Sequence, residues 1–215
     1  MADQTKPASA TEKLRSDIIA GVLVPGERLP EIALTERYSV GRAAIRSALV
    51  ELRAEGLVDI AANRGAVVRR ISLDEAIEIA EARKVLETLI AAKAALNHDP
   101  SDESLSRIVD EMRTAVSHND NSRYSELNRA LHRRIWEIGR HRVGYDLVSN
   151  LRDRSAHHQY RLAVMPGRAE ESLEQHTAIV EAIASGDPHT AARAMERHLD
   201  SVIEVLDQWS ELGAP

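Results

Sequence analysis

Two regimes of hydrophobic spacing divide the 215-residue chain. Up to about residue 71, short helical stretches give way to β-prone runs; beyond Leu73 the apolar residues recur at the three- and four-residue intervals of helices. In the first regime Glu31–Tyr38 reads as a short helix with Ile32, Ala33 and Leu34 available to a core, and Ser39-Val40-Gly41 breaks it. Ile45, Ala48, Leu49 and Leu52 then line one face of a second helix. Gly56 follows Glu55, in the position where a helix ends in the left-handed conformation with least strain. Leu57–Ile60 and Ala66–Val68 read as the strands of a hairpin, joined by Ala61-Ala62-Asn63-Arg64-Gly65 with Arg64 at the exposed tip.

In the second regime helices are expected at about Asp74–Asn97, Asp102–His118, Ser122–Gly139, Val143–Val164, Glu170–Ser185 and Pro188–Ser210. Stop signals separate them at Asp99-Pro100, Asn119-Asp120-Asn121, Gly139, Pro166-Gly167 and Gly186-Asp187-Pro188. Ser72 and Ser101 read as N-caps. The expected fold is mainly α: an N-terminal winged helix-turn-helix over residues 11–71, then an all-α bundle of six or seven helices over residues 72–215. Residues 1–10 read as an unstructured lead-in without the apolar core of a signal peptide.

Helix, turn, basic helix and basic-tipped hairpin, in that order, let a side chain of the second helix reach base edges in a DNA major groove. Arg42 and Arg46 are four apart near the start of that helix, on a face clear of the core. These residues resemble the GntR family of bacterial transcription regulators. Pro25-Gly26-Glu27-Arg28-Leu29 is similar to its PGxxL element, Val40 to Leu49 to its VSRxxxRxAL signature, and Glu55-Gly56-Leu57-Val58 with Asn63-Arg64-Gly65 to its EGLV and NRG elements. The resemblance implies DNA contact by Arg28, Arg42, Ala43, Arg46, Arg64 and Gly65. Gly41 and Ala43 stand where the family has hydroxyl side chains, so the family's operator sequence does not transfer.

Charge sharpens this picture. The formal net charge of −6 splits into +2 over residues 1–70, with 11 Lys/Arg against 9 Asp/Glu, and −8 over the remainder. A weakly basic head on an acidic body confines phosphate contact to one surface and makes affinity salt-dependent. Phe is absent and aromatics are sparse, which favours close-packed helices of Ala, Leu, Ile and Val. The lack of Cys excludes disulfides and thiolate metal sites and fits the cytoplasm. No apolar run approaches the roughly 20 residues that span a bilayer.

The histidines carry the second piece of chemistry. Asn128 and His132 are four apart and share a helix face, while His176 and His198 lie on two later helices that an antiparallel turn can bring together. Three imidazoles and an amide oxygen suit a divalent ion, Zn²⁺ first, then Ni²⁺ or Mn²⁺, with positions left for water or a ligand; the bland alternative is surface or hydrogen-bonded histidines. This half of the chain also resembles the FCD effector domain of the FadR-type branch of the GntR family. The residues involved are Glu81 to Glu87, Asn128 to His132, Gln175-His176, Ala182-Ile183, Gly186-Asp187 and Ala191 to Leu199. The resemblance implies metal ligation by Asn128, His132, His176 and His198, with Asn128 in place of the usual Asp. It implies a small carboxylate effector held by Arg83, with His157 and Arg161 as further candidates. Glu87, also four residues from Arg83, is the competing partner for that guanidinium. His141, His158 and His189 are expected at the surface.

The expectation is a ligand-responsive regulator, in most of this family a repressor, whose homodimer binds a palindromic operator. No membrane partner is expected. A metal-dependent hydrolase is the enzymatic alternative, but no nucleophile elbow, phosphate loop or metalloprotease spacing supports it. A constitutive DNA-binding module with a purely structural metal is the other alternative.

Overall fold

A capping box starts the first helix: the Ser9 hydroxyl accepts from Glu12 N at 3.2 Å, and Ser9 N donates to the Glu12 carboxylate at 2.6 Å. The computed structural model describes residues 8–61 and 65–211. Ser9 and Ala10, expected in the lead-in, thus begin α1, which runs Ala10–Ile19. It is followed by α2 (Glu31–Tyr38), α3 (Arg42–Ala54) and the antiparallel strands β1 (Val58–Ala61) and β2 (Gly65–Val68). Leu14, Ile45 and Leu52 are fully buried at the centre of this unit. Polar staples close its edge: Arg15 makes two bonds to Glu55, at 2.8 and 2.6 Å, and Tyr38 donates to Asp17 at 2.7 Å.

The hairpin register pairs Val58 with Val68 and Ile60 with Ala66, one residue displaced from the expected strand ends. The Pro25–Leu29 segment adds a third line of backbone pairing that the hydrophobic pattern did not reveal. Gly26 N donates to Val68 O at 2.8 Å and Leu29 N to Ala66 O at 2.8 Å, so Arg28 sits opposite Val67. Gly56 has φ +78, the left-handed conformation expected after α3. Asn63 and Arg64 lie outside the described residues.

The chain divides into two compact units between Ile71 and Ser72. The second unit consists, among its described residues, of seven helices: α4 (Leu73–Asn97), α5 (Ser104–Ser117), α6 (Asn121–Gly139), α7 (Arg142–Arg154), α8 (Ala156–Ala163), α9 (Arg168–Ala184) and α10 (Pro188–Glu211). The α4 helix is central, packing on α6, α7, α9 and α10. Buried alanines on α4 (Ala80, Ala91, Ala94) and α10 (Ala191, Ala194) let those two backbones lie close, the consequence of a core built without Phe. Ser72 caps α4 by accepting from Glu75 N at 3.2 Å.

Two expectations change. The single helix expected over Val143–Val164 is two, because the buried Ser155 hydroxyl donates to the carbonyls of Leu151 (3.2 Å) and Arg152 (3.3 Å) and the backbone turns there before resuming. The expected cap Ser101 instead donates to Asp99, and Asp102 accepts from Ser104 N at 2.9 Å, so α5 starts at Ser104. α6 ends at Gly139 as expected, and the left-handed residue that follows is Arg140, φ +51. Gly139 answers to proximity: a Cβ there would fall 2.7 Å from Ile90 Cγ2 and 2.9 Å from Ile90 O.

Candidate functional site

In the head, α3 begins at Arg42 after the extended Gly41, with no side-chain cap, as the loss of a hydroxyl there implies. Its apolar face buries Ile45, Ala48, Leu49 and Leu52 and leaves Arg42, Ala43 and Arg46 exposed together. Arg46 is half-extended across to α2, where its Nε donates to Glu31 at 2.9 Å. Arg28 and Gly65 are exposed beside the wing, Gly65 with φ +77. Arg64 falls outside the described residues.

In the second unit α6, α9 and α10 bring His132, His176 and His198 to one point, each at most 3 % exposed. One ring nitrogen from each lies within 4.8 Å of the others, and Nε2 of His132 is 3.1 Å from Nε2 of His176. On each ring the opposite nitrogen is engaged elsewhere. His132 Nδ1 faces Glu87 Oε2 at 2.6 Å, His198 Nδ1 faces Gln175 Oε1 at 2.9 Å, and His176 Nδ1 lies 3.3 Å from the Ser172 hydroxyl. The acceptor-only oxygens of Glu87 and Gln175 draw the proton of His132 and His198 to Nδ1 and leave their Nε2 atoms unprotonated in the neutral ring, whereas the Ser172 hydroxyl allows either tautomer of His176. With the His176 proton on Nδ1, two lone pairs face at 3.1 Å and repel unless a cation lies between them; with the Ser172 hydroxyl donating to His176 Nδ1 instead, His176 Nε2–H donates to His132 Nε2. Zn–N bonds of about 2.0–2.1 Å at a tetrahedral angle put two nitrogens roughly 3.3 Å apart, so the donor set fits such an ion.

Burial keeps the three imidazoles neutral. It pushes the His132 imidazole down to about 4 against the opposing pull of Glu87, and holds His176 and His198 well below the ordinary histidine value. Glu87 is fully buried, and burial alone would raise its pKa. The Arg83 guanidinium and His132 outweigh that and keep it ionised. Its two oxygens take bonds from Arg83 Nε (2.8 Å), His132 and Trp136 Nε1 (3.1 Å). Such a carboxylate behind a histidine ligand orients the ring and raises its basicity.

Asn128 lies one turn before His132 and, with His132 and His198, lines a pocket that also carries Tyr124, Gln159, Arg168 and Ser172. The cavity volume there is about 20 Å³, about what one water needs. The Asn128 amide oxygen faces Nη2 of Arg152 at 3.4 Å. Arg83 is spent largely on Glu87, through Nε and Nη2 at 2.8 Å each, as its competing reading allowed. His157 and Arg161 are not brought to this pocket: His157 is exposed, and Arg161 stacks over Trp209 at 4.7 Å. The neighbouring positions on α8, Gln159 and Leu162, line it instead, and His158, expected at the surface, is buried. Arg152, Arg168 and Glu87 are site residues the sequence reading did not assign. The i, i+4 relation of Arg83 and Glu87 was visible, but nothing in periodicity distinguishes a buried arginine from a solvated one.

Residues 8–68 match the family described as bacterial regulatory proteins, gntR family, and residues 78–201 match the FCD domain. The HTH-type transcriptional repressor RspR of Escherichia coli (strain K12) is 27 % identical over 196 residues, covering 91 % of this chain and 86 % of that protein. The HTH-type transcriptional regulator LutR of Bacillus subtilis (strain 168) is 27 % identical over 213 residues, covering 89 % of this chain and 96 % of its own. Among solved structures, E. coli McbR/YncC superposes with a TM-score of 0.82 at 21 % identity, over 94 % of this chain and 96 % of that one, which shows a shared fold.

Proposed function

This chain belongs to the GntR family of DNA-binding transcriptional regulators, with an FCD domain behind its winged head, and from that premise we propose that it is a repressor released or engaged by a small carboxylate at a metal centre. The observation that carries the proposal is the convergence of three buried imidazoles, each offering one ring nitrogen within 4.8 Å of the others, with Glu87, Gln175 and Ser172 beside their Nδ1 atoms. His132, His176 and His198 would hold a divalent ion, Zn²⁺ first, with Asn128 as a neutral fourth donor. The ion when bound supplies a Lewis-acidic point that accepts a carboxylate oxygen. The protein's own groups would then orient the ligand: Arg168 and Tyr124 line the pocket, while Arg83 acts through Glu87, which holds His132.

Arg28, Arg42, Ala43, Arg46, Arg64 and Gly65 form the proposed DNA face. Two such heads on a homodimer would read a palindromic operator with half-sites about one helical turn apart. Support for a dimer comes from an apolar face that α4 and α7 leave uncovered, with Val85 and Leu96 of α4 and Val143 of α7 each about two-thirds exposed. The ligand alters DNA affinity only by as much as it prefers one arrangement of the protein over another.

The test is an operator titration by fluorescence anisotropy with zinc-loaded and chelator-treated protein, with and without carboxylates. A metal-dependent ligand response is expected. A response unchanged by full zinc removal contradicts the sensor reading, and loss of thermal stability alone assigns the metal to a structural clamp.

A further inference from the structure

The side of α3 turned away from the head's core carries a line of side chains without a charge. Ile45, Ala48, Leu49 and Leu52 are the buried residues of the helix. At about 3.6 residues per turn, the positions turned most directly away from them are Ala43, Ser47, Val50 and Ala54. All four are exposed. Val50, 62 % exposed, is the most exposed large apolar side chain among the described residues of the head, so packing within that unit does not account for it. The charged residues of α3 fall to either side of the line. Arg46 leans toward α2, where Glu31 holds its Nε at 2.9 Å, and Arg42 and Arg53 share its side of the helix. Glu51 leans the other way, toward α1, and accepts from the Thr11 hydroxyl at 2.7 Å.

Ala43 is the member of this line in the first turn of α3, the part of a recognition helix that meets base edges. Its Cβ touches a base only where the helix lies close to the groove floor, and the small side chains of Ser47 and Ala54 on the same line permit that approach. At contact distance a methyl complements one group of the major groove, the C5 methyl of thymine. Set against the amino group of adenine, or N7 and O6 of guanine, it removes water from a donor or acceptor and returns no hydrogen bond. Against cytosine it leaves a gap where the thymine methyl would stand.

We propose that Ala43 is a specificity-determining residue that selects thymine, through its C5 methyl, at one position of each operator half-site. The arginines on the flank supply charge and hydrogen bonds, and Ala43 supplies an apolar contact that distinguishes one pyrimidine from the other. This inference deepens the DNA-face reading above and rests on it.

The experiment uses the full chain and an operator selected by it from random duplexes. Each thymine of the half-sites is replaced in turn by deoxyuridine, which removes the methyl and nothing else, and anisotropy titrations compare the parent with Ala43→Gly, Arg42→Ala and Arg46→Ala. At one thymine per half-site, uracil is expected to weaken parent binding roughly three- to fivefold, about the worth of one buried methyl. Cytosine at that position should weaken it further, and 5-methylcytosine should recover part of the loss. Ala43→Gly should abolish the difference between thymine and uracil there and leave other positions unchanged. Because that difference is read within one variant, any general loss of helix stability from glycine cancels. Uracil tolerated within about twofold at every thymine, well short of a methyl contact, or a sensitivity that survives Ala43→Gly, overturns the proposal. The DNA face itself stands in either case if Arg42→Ala and Arg46→Ala lower affinity. Arginine variants that bind as the parent does, or a chain that selects no sequence, overturn the DNA face and this inference with it.

Discussion

His132 Nδ1 and Glu87 Oε2 stand 2.6 Å apart, both side chains out of reach of water. The contact joins α4 to α6 and sets which nitrogen of His132 is left to face His176. Replacing Glu87 with Gln retains the shape and removes the charge, which leaves Arg83 buried without a counter-ion. A loss of about 3–5 kcal/mol in stability is expected, together with a roughly ten- to hundredfold fall in zinc affinity. Urea denaturation of the metal-free variant and a chelator competition measure the two effects separately. A Gln variant as stable as the parent shows that the Arg83 charge is met some other way.

Stability should fall with pH in a window set by the histidines. Each of the three imidazoles has a folded-state value below the ordinary unfolded one of about 6.5, by burial. As pH drops through 6.5 the unfolded chain takes up protons that the folded chain refuses, so the folded state loses ground. The contribution is complete above about 6.5 and is lost as pH falls from there, toward about 4 for His132. The slope approaches roughly 1.4 kcal/mol per pH unit for each histidine. Urea midpoints of metal-free protein between pH 7.5 and 4.5 check this, and a flat profile across pH 6.5 to 5 contradicts buried neutral imidazoles.

On the other unit, Arg46 is exposed and already engaged with Glu31. Arg46→Ala is expected to reduce operator affinity roughly ten- to a hundredfold and to leave the helical circular-dichroism spectrum intact. Glu31→Ala frees the guanidinium and should keep or raise affinity. Unchanged affinity for Arg46→Ala in an anisotropy titration removes Arg46 from the DNA face.

The difference between what spacing disclosed and what it hid has a physical origin. Helix phase is a property of neighbouring residues, so α2, α3 and the Asn128/His132 pairing on α6 were readable from four-residue intervals alone. The approach of His176 to His198 needed one more inference, an antiparallel turn at Gly186-Asp187-Pro188. Arg152 and Arg168 were invisible because an arginine enters a core only when distant residues enclose it. The α7–α8 break was hidden for a related reason: Ser155 interrupts the helix through its burial and its two carbonyl contacts, and an exposed serine at the same place need not. The pairing of Pro25–Leu29 with β2 is likewise a long-range backbone contact that no local pattern encodes.

The uncovered face of α4 and α7 yields a prediction for assembly. Val85, Leu89 and Leu96 follow one stripe of α4, and Val143 and Leu147 follow α7 beside it. Leu89→Asp puts a charge in the middle of the stripe. Its fold should persist, because Leu89 is 45 % exposed. Sedimentation velocity should show a shift from dimer to monomer and operator affinity should drop with it. A variant that sediments as the parent does would falsify this face as the dimer surface.

The contact between Gly139 and Ile90 tests the packing that holds α6 against α4. A methyl at residue 139 meets Ile90 Cγ2 at 2.7 Å and the Ile90 carbonyl oxygen at 2.9 Å. The side-chain atom can move, but the carbonyl belongs to the backbone of the central helix and cannot yield without shifting α4. Gly139 is within the helix and not at a positive φ, so Ala at this position carries no conformational penalty and gains helix propensity. Overpacking of this kind costs about 1–3 kcal/mol, which exceeds the roughly 1 kcal/mol that Ala gains over Gly in a helix. Gly139→Ala should therefore lower the denaturation midpoint, and His132 on the same helix should lose register with His176, which reduces zinc affinity as well. A more stable Gly139→Ala protein with unchanged zinc affinity shows that α6 slides freely and that the close approach does not position the histidine.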